Sequence, residues 1–132
     1  MFITKETDYA IRIIRELSRG GRKTMVDICR NEQIPRQFSY KILKKLEKSG
    51  MVRIFRGAGG GYALAADAAG ITLFDVVGSM DGDLLLSKCL DHGFNCPLKG
   101  KGKKICGVHR ELKRIQGLML DHLKEKSLAE IF

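Results

Sequence analysis

The feature that most constrains the fold is a glycine-rich run at residues 57–61, which has four glycines in five positions. Two short segments with β-strand character, 52–56 and 62–65, flank it, and this arrangement predicts a β-hairpin. Three helical patterns precede the hairpin, which is the order of a winged helix-turn-helix. We therefore expect a mainly α fold with a small β-hairpin, a winged helix-turn-helix followed by a long C-terminal helix.

The three helical patterns have recognisable starts. Thr4 can cap the first helix, and Thr24 with Asp27 has the spacing of a capping box at the start of the second. Pro35 suits the first turn of the third. The predicted helices cover residues 5–18, 25–31 and 35–49.

The third helix has two chemically different faces. At about 100° per residue its apolar side chains fall within an arc of roughly 140°, and they are Phe38, Ile42, Leu43 and Leu46. The opposite arc carries Gln37, Tyr40, Lys41, Lys44, Lys45 and Lys48. A solvated lysine face is the alternative, but only Glu47 lies in this stretch as an acidic partner. The pattern favours a helix in the major groove of DNA, where lysines contact phosphates. Base edges would be reached by Gln37, Tyr40 and Lys41, and Arg36 completes the predicted DNA-binding set on this helix.

The glycine-rich tip is a second candidate contact with DNA. Arg53 and Arg56 flank it, and Gly59, Gly60 and Gly61 would let the backbone approach a phosphate or a narrow groove closely. A nucleotide-binding loop is disfavoured because no Lys-Ser/Thr pair and no helix follow. A flexible turn is the other alternative. We interpret the hairpin as a wing with Arg56 in or near the minor groove.

The charge distribution agrees with a polyanionic partner. The chain has 132 residues and a net charge of +9. Residues 1–66 carry 14 basic and 6 acidic side chains, whereas residues 67–132 carry 10 and 9. This segregation indicates a basic module joined to a second module with another task. No apolar run is long enough to cross a bilayer and the start does not resemble a secretory signal, so we expect a cytoplasmic protein without a membrane partner.

Three cysteines and a histidine form a candidate metal site in the second half. Cys89, Cys96, Cys106 and His109 are spaced Cys-x6-Cys-x9-Cys-x2-His, within a long loop and the start of the last long helix. Structural disulfides are disfavoured in a reducing compartment, so metal or redox chemistry is expected. The wide spacing favours an iron–sulfur cluster, while zinc and free redox thiols remain alternatives. Cys29 lies among core residues of the second helix, where a small buried hydrophobic role is expected.

The remaining segments predict how the chain assembles. Thr72 and Asp75 open a short helix that extends to about residue 80. A long helix over 104–126 has apolar residues every three to four positions, which favours pairing with a second copy of the chain. We expect a DNA-binding domain at 1–66, a short helix and cluster-binding loop at 67–103, and a dimerisation helix with a tail at 104–132.

The sequence resembles the IscR/NsrR/RirA family of bacterial winged-helix iron–sulfur regulators over essentially its whole length. The opening MFITKETDYA resembles the family start, and RGAGGGY at 56–62 resembles the family's wing motif. Three cysteines before a long helix complete the likeness. The cysteine gaps are wider than is usual in the family, because residues rich in Lys and Gly lengthen the loop between Pro97 and Lys104.

The resemblance implies a homodimeric transcription factor whose DNA binding depends on a 2Fe–2S or 4Fe–4S cluster. Cys89, Cys96 and Cys106 match the cluster cysteines. His109 matches the histidine of the IscR-like ending, and Asp8 matches the position from which NsrR-like members donate a carboxylate across the dimer. We favour His109 as the fourth ligand, because it lies one helical turn after Cys106.

These observations predict a DNA-binding regulator that represses transcription from a double-stranded operator. The cluster would sense redox state, nitric oxide or iron. The alternatives are an iron–sulfur carrier or electron-transfer protein, and a zinc or thiol regulator with the same DNA-binding fold. No nucleophile–base pair or paired carboxylates stand out, so we expect neither an enzyme nor a small-molecule substrate.

Overall fold

The computed structural model describes residues 3–98 and 106–132. Its helices and strands follow the predicted order of three helices, a hairpin and further helices. They are α1 (Lys5–Ser18), α2 (Met25–Glu32), α3 (Arg36–Lys48), β1 (Val52–Phe55), β2 (Gly61–Leu64), α4 (Leu73–Asp81), α5 (Gly107–Glu125) and α6 (Leu128–Ile131). Single 3₁₀ turns at Ala68–Gly70 and Lys88–Leu90 lie in the connections. The mainly helical fold with one small hairpin is therefore confirmed.

Side-chain caps define most of the helix starts. The Thr4 hydroxyl accepts a hydrogen bond from the Thr7 N–H at 3.3 Å, as predicted for the first helix. Complete capping boxes open α4 at Thr72 and α6 at Ser127. Each cap satisfies a backbone donor that a helix start leaves without an internal partner. The local sequence thus determines where these helices begin.

The hairpin is a two-stranded antiparallel sheet. Val52 pairs with Leu64 at its base, and Phe55 pairs with Gly61 at the tip. The second strand begins at Gly61, one residue before the predicted start, because that glycine still takes part in the ladder.

The core lies between α1, α3 and α4, with contributions from α2 and the base of the hairpin. Its most buried side chains are aliphatic and project from the predicted apolar faces of these helices. They include Ile13, Ile14, Ile28, Ile42, Leu43, Leu46, Val52 and Val76. Burial of such side chains contributes about 1.5–3 kcal/mol each.

Phe38 corrects the predicted core face of α3. Its side chain is 42% exposed, and the buried residue on that turn is Ser39. Phe38 lies at the edge of the apolar arc, where its ring packs against Tyr9 with 6.1 Å between centroids. Contacts with α1 therefore replace the deep burial expected from periodicity.

Two buried carboxylates join α1 to α2. Glu16 and Glu32 are 1% and 4% exposed. Asn31 donates to Glu16 at 2.7 Å, and Arg15 donates from Nε to Glu32 at 3.1 Å. Arg19 pairs with Glu16 as well. Because Glu16 has cationic and amide partners and Glu32 has arginine partners, this network fixes the angle between the two helices.

The C-terminal helix α6 packs against the core formed by α1, α3 and α4. Leu128 of α6 is fully buried, and its N–H donates to the Ile71 carbonyl at 2.7 Å. Thr72 and Ser127 form an isolated antiparallel bridge beside this bond. The segment that follows α5 is therefore part of the same packed body as α1, α3 and α4.

Candidate nucleic-acid interface and thiol loop

The solvent-facing side of α3 presents two predicted DNA-binding residues, Gln37 and Lys44, together with Lys48, without close cover. Gln37, Lys44 and Lys48 are exposed along the helix, opposite the buried face formed around Leu43 and Leu46. The nearest carboxylate to the Lys44 ammonium is that of Glu47, at 4.0 Å. This strip therefore offers two ammonium groups and one amide to an approaching surface.

One edge of this strip adjoins the wing. Arg36 and Tyr40 are exposed on α3, and both act electrostatically on the phenol of Tyr62 in β2. Burial raises the pKa of Tyr62 above its ordinary value, with Tyr40 acting in the same direction and Arg36 opposing it. The first turns of α3 thus lie near Tyr62, which pairs with Ile54 in the wing.

The other edge of the strip contacts α1. Lys41 and Lys45 each donate to a different oxygen of Glu6, both at 2.7 Å, and Lys45 also donates to the Met80 carbonyl at 3.0 Å. The expectation that these lysines have no acidic partner is wrong, because Glu6 reaches them from another helix. Hydrogen bonds from Lys41 and then Lys45 lower the pKa of Glu6 below its ordinary value.

The wing is held by the connection between α1 and α2. Lys23 and Tyr62 exchange backbone hydrogen bonds of 2.8 Å in both directions. The Arg22 guanidinium lies 3.7 Å from the centre of the Phe55 ring and donates to the Gly59 carbonyl. Arg22 therefore stacks on the hairpin and closes its tip, a role that the sequence did not indicate.

Two tip glycines are required by the hairpin itself. A Cβ at Gly60 would lie 2.7 Å from the Phe55 carbonyl oxygen and 2.9 Å from that of Gly57. Gly61 has φ 145°, and a Cβ there would lie 2.7 Å from the Lys23 carbonyl oxygen. Close backbone packing therefore explains these two glycines without a phosphate contact. Arg53 and Arg56 are exposed on the wing and remain available to DNA.

The candidate metal ligands lie in the connection between α4 and α5 and at its end. Cys89 is in the 3₁₀ turn Lys88–Leu90, Cys96 follows in the loop, and Cys106 is the N-cap residue of α5. All of the cysteines are free thiols. The Leu86 N–H donates to the Gln116 side chain at 2.9 Å, which ties the start of this thiol loop to α5.

The side-chain types of the candidate ligands suit an iron–sulfur cluster, but their positions in the structure suit it less well. Three thiols with an imidazole or a carboxylate form a suitable ligand set. Within residues 3–98 and 106–132, however, no three His, Cys, Asp or Glu side chains lie close enough together to hold a metal ion. His109 is half-buried on the first turn of α5, and Asp8 pairs with Arg12 at 2.9 Å. The predicted ligands therefore do not form a group of three in the described chain.

The long helix α5 carries an uncovered apolar stripe. Every side chain of α5 is at least partly exposed, and Val108, Ile115 and Leu118 are 67%, 41% and 49% exposed. A helix of 19 residues that buries none of its own side chains gains little stability from packing within one chain.

Comparison with known proteins identifies the chain's relatives. A sequence profile of the Rrf2 family, described as an iron-dependent transcriptional regulator, matches residues 3–132. The chain belongs to the Rrf2 family. It is 32% identical to Protein aau3 of Rhizobium meliloti, over 93% of this chain and 84% of that protein. It is 28% identical to the HTH-type transcriptional regulator IscR of Vibrio vulnificus, over 99% of this chain and 77% of that protein.

A solved structure matches this Rrf2 protein over nearly its whole length. CymR, the global cysteine regulator of B. subtilis, superposes with a TM-score of 0.75 and 21% sequence identity, covering 98% of this chain and 94% of CymR. At that identity the likeness supports the winged-helix fold alone. Together with the family match, it makes the protein a transcriptional regulator with a DNA-binding fold, not an enzyme. None of the described helices is both long and apolar enough to span a bilayer.

Sequence reasoning missed three residues around the predicted interface. Glu6, Arg22 and Gln116 restrain the lysine edge, the wing and the thiol loop respectively. Their partners are 35, 37 and 30 residues away in the sequence. No local pattern could have identified these pairs.

Proposed function

We propose that this Rrf2 protein is a homodimeric repressor that binds duplex DNA through α3 and the wing, under the control of an iron–sulfur cluster. The observation that carries the proposal is the exposed basic strip of α3 beside a rigidly attached wing. The residues proposed to contact DNA are Arg36, Gln37, Tyr40, Lys41, Lys44, Lys45, Arg53 and Arg56, with the backbone at Gly59, Gly60 and Gly61.

The α3 strip suits the major groove. A helix presents its exposed side to base edges while flanking lysines and arginines contact phosphates. The Gln37 amide can donate and accept, which is the chemistry that reads adenine. Arg56 at the exposed tip is placed to follow the backbone into the minor groove.

The apolar stripe of α5 supports the homodimer. Pairing two such helices would cover Val108, Ile115 and Leu118, which one chain leaves exposed. A two-fold dimer would present two α3 helices to half-sites about 34–36 Å apart. In this arrangement residues 1–66 bind DNA, 67–103 sense the signal and 104–132 hold the dimer, while α6 also packs on the core.

Cys89, Cys96 and Cys106 are the proposed cluster ligands. His109 is favoured over Asp8 as the fourth, because it follows Cys106 by one turn and Asp8 already pairs with Arg12. A bound cluster would respond to oxidation, to nitric oxide or to loss of its iron. It would also cross-link the loop that carries its ligands. The family profile's iron-dependent description and the relative IscR support this assignment.

The cluster is tested by anaerobic purification with an absorption spectrum and iron and sulfide counts. Wild-type protein should be coloured, Cys96→Ala should be colourless, and Cys29→Ala, outside the loop, should keep the colour. Colourless wild-type protein with bound zinc, or with no metal, would instead favour a zinc or thiol regulator. Among the described residues no three potential ligands lie together, which favours the thiol form of this second candidate, because zinc needs gathered ligands as a cluster does.

DNA binding and dimerisation need separate measurements. Steeply salt-dependent binding to duplex DNA is expected, and its absence would favour an iron–sulfur carrier. Ile115→Glu should produce a monomer in sedimentation, whereas Lys113→Glu, on the polar side of α5, should leave the dimer intact. A wild-type monomer would refute the dimer.

A further inference from the structure

We propose that Glu6 is a positioning residue of the DNA-binding surface, which restrains Lys41 and Lys45 and so limits the affinity of α3 for duplex DNA of any sequence. This inference rests on the proposed use of α3 in DNA binding. It adds that a carboxylate of the same chain competes with DNA phosphate for two of the lysines. Helix α1 supplies the competing carboxylate, although α1 itself carries none of the proposed contacts with bases.

One carboxylate holds two of the four lysines of α3. Its two oxygens each accept from one ammonium group at 2.7 Å, one from Lys41 and the other from Lys45. A phosphate that approaches this edge must displace the carboxylate or share the lysines with it. In either case the negative charge of Glu6 opposes the phosphate.

The two lysines are restrained to different degrees. The Lys41 side chain is 65% exposed and pairs with Glu6 alone among the described carboxylates. Lys45 is 32% exposed and also donates to the Met80 carbonyl at 3.0 Å. Removal of the carboxylate should therefore release Lys41 to phosphate, while Lys45 keeps its bond to the end of α4.

Glu6 itself is held in place and charged. It lies in the first turn of α1, where a helix start favours an acidic side chain. The same end of α1 is fixed by Asp81, which accepts hydrogen bonds from the hydroxyls of Thr4 and Thr7. The two ammonium groups lower the pKa of Glu6, so the carboxylate remains ionised at neutral pH.

The expected effect follows from counterion release. One additional phosphate contact steepens the dependence of log K on log salt by about 0.9. At about 0.1 M salt, a contact with this slope raises affinity by up to about eightfold relative to 1 M salt. Glu6→Gln should produce a change of this size through Lys41, with the same gain for unrelated sequences, because phosphates carry no sequence information.

The experiment titrates full-length protein into a fluorescent duplex of mixed sequence at several salt concentrations. Glu6→Gln should bind more tightly, with a steeper salt slope, than Glu125→Gln, which makes the same charge change on α5. In a Lys41→Ala background, Glu6→Gln should lose most of its gain. Thermal unfolding of each variant verifies that the compared proteins are folded.

The outcomes separate this inference from the proposed function. Equal slopes for Glu6→Gln and Glu125→Gln, or weaker binding by Glu6→Gln, would overturn the restraint. Lys44→Ala, at an exposed lysine of the strip that is proposed to contact DNA, tests the interface itself. If Lys44→Ala leaves binding unchanged, the use of α3 is wrong. If Lys44→Ala weakens binding while Glu6→Gln has no effect, only the restraint is wrong.

Discussion

Replacing Gly60 with alanine should open the wing and weaken DNA binding more than it destabilises the protein. The new Cβ would lie 2.7 Å from the Phe55 carbonyl oxygen, about 0.7 Å inside the 3.4 Å at which ordinary contact begins. It would also lie 2.9 Å from the Gly57 oxygen, which accepts the hydrogen bond that closes the turn. Both neighbours are backbone atoms, so relief requires the turn to move.

Steric overlap of this kind costs about 1–3 kcal/mol. If opening the hairpin tip relieves the overlap, the ratio of closed to open wings falls by roughly fivefold to 150-fold. The helical core around Ile14 and Leu46 does not touch the tip, and its stability should fall by less than the full cost. The wing and the core should therefore respond differently to one methyl group.

Three measurements check this expectation. Binding to duplex DNA should weaken, and amide exchange at Lys23 and Tyr62, which exchange backbone hydrogen bonds, should become faster. Gly117→Ala is the matched control, because a Cβ on that exposed α5 residue meets nothing within 4 Å. It should raise stability by about 0.5–1 kcal/mol without changing DNA binding. Unchanged amide exchange and DNA binding in Gly60→Ala would refute the reasoning about the tip.

Three further predictions concern other contacts. Arg22→Ala removes the stack on Phe55 and should weaken DNA binding with little loss of core stability, whereas Arg22→Lys should restore binding only in part. Full DNA binding by Arg22→Ala would contradict the role of Arg22 in holding the wing. Leu128→Ala should lower the free energy of unfolding in denaturant by about 2–5 kcal/mol, because the side chain is fully buried, and a loss below this range would show that α6 is not part of the core. The pKa of Glu6 is lowered in the folded state, so its contribution to stability is present above the ordinary glutamate pKa and is lost as pH falls through the lowered value. Glu6→Gln should therefore reduce the loss of stability at acid pH, measured as the free energy of unfolding against pH. The same acid-dependent loss in Glu6→Gln and wild-type protein would contradict the ion pairs.

Much of the fold follows from local sequence because its determinants are local. Thr4, Thr72 and Ser127 cap helices through residues three positions away, and the glycines at 57–61 force a turn between two strand-forming segments. Sequence periodicity also identified the buried side of α3 around Leu43 and Leu46. These features need no knowledge of the rest of the chain.

The electrostatics of the interface could not be predicted in this way. Glu47 is the only acid within α3, so the local sequence predicts a lysine face free of acidic partners, yet Glu6 reaches this face from α1. The position of Phe38 on the helix predicts a core residue, but its ring lies at the surface against Tyr9 of α1. In both cases the deciding neighbour comes from another helix.

The return of α6 to the core has a consequence for how such a regulator can evolve. Helix α4 ends at Asp81, and the next fully buried side chain of the described chain is that of Leu128, where a backbone hydrogen bond to Ile71 fixes the far end. None of the described residues between these two points, 82–98 and 106–127, is buried, while the residues on either side are anchored to the core. If this segment senses the signal as proposed, its length and ligand spacing can therefore change while the DNA-binding domain keeps its folded frame.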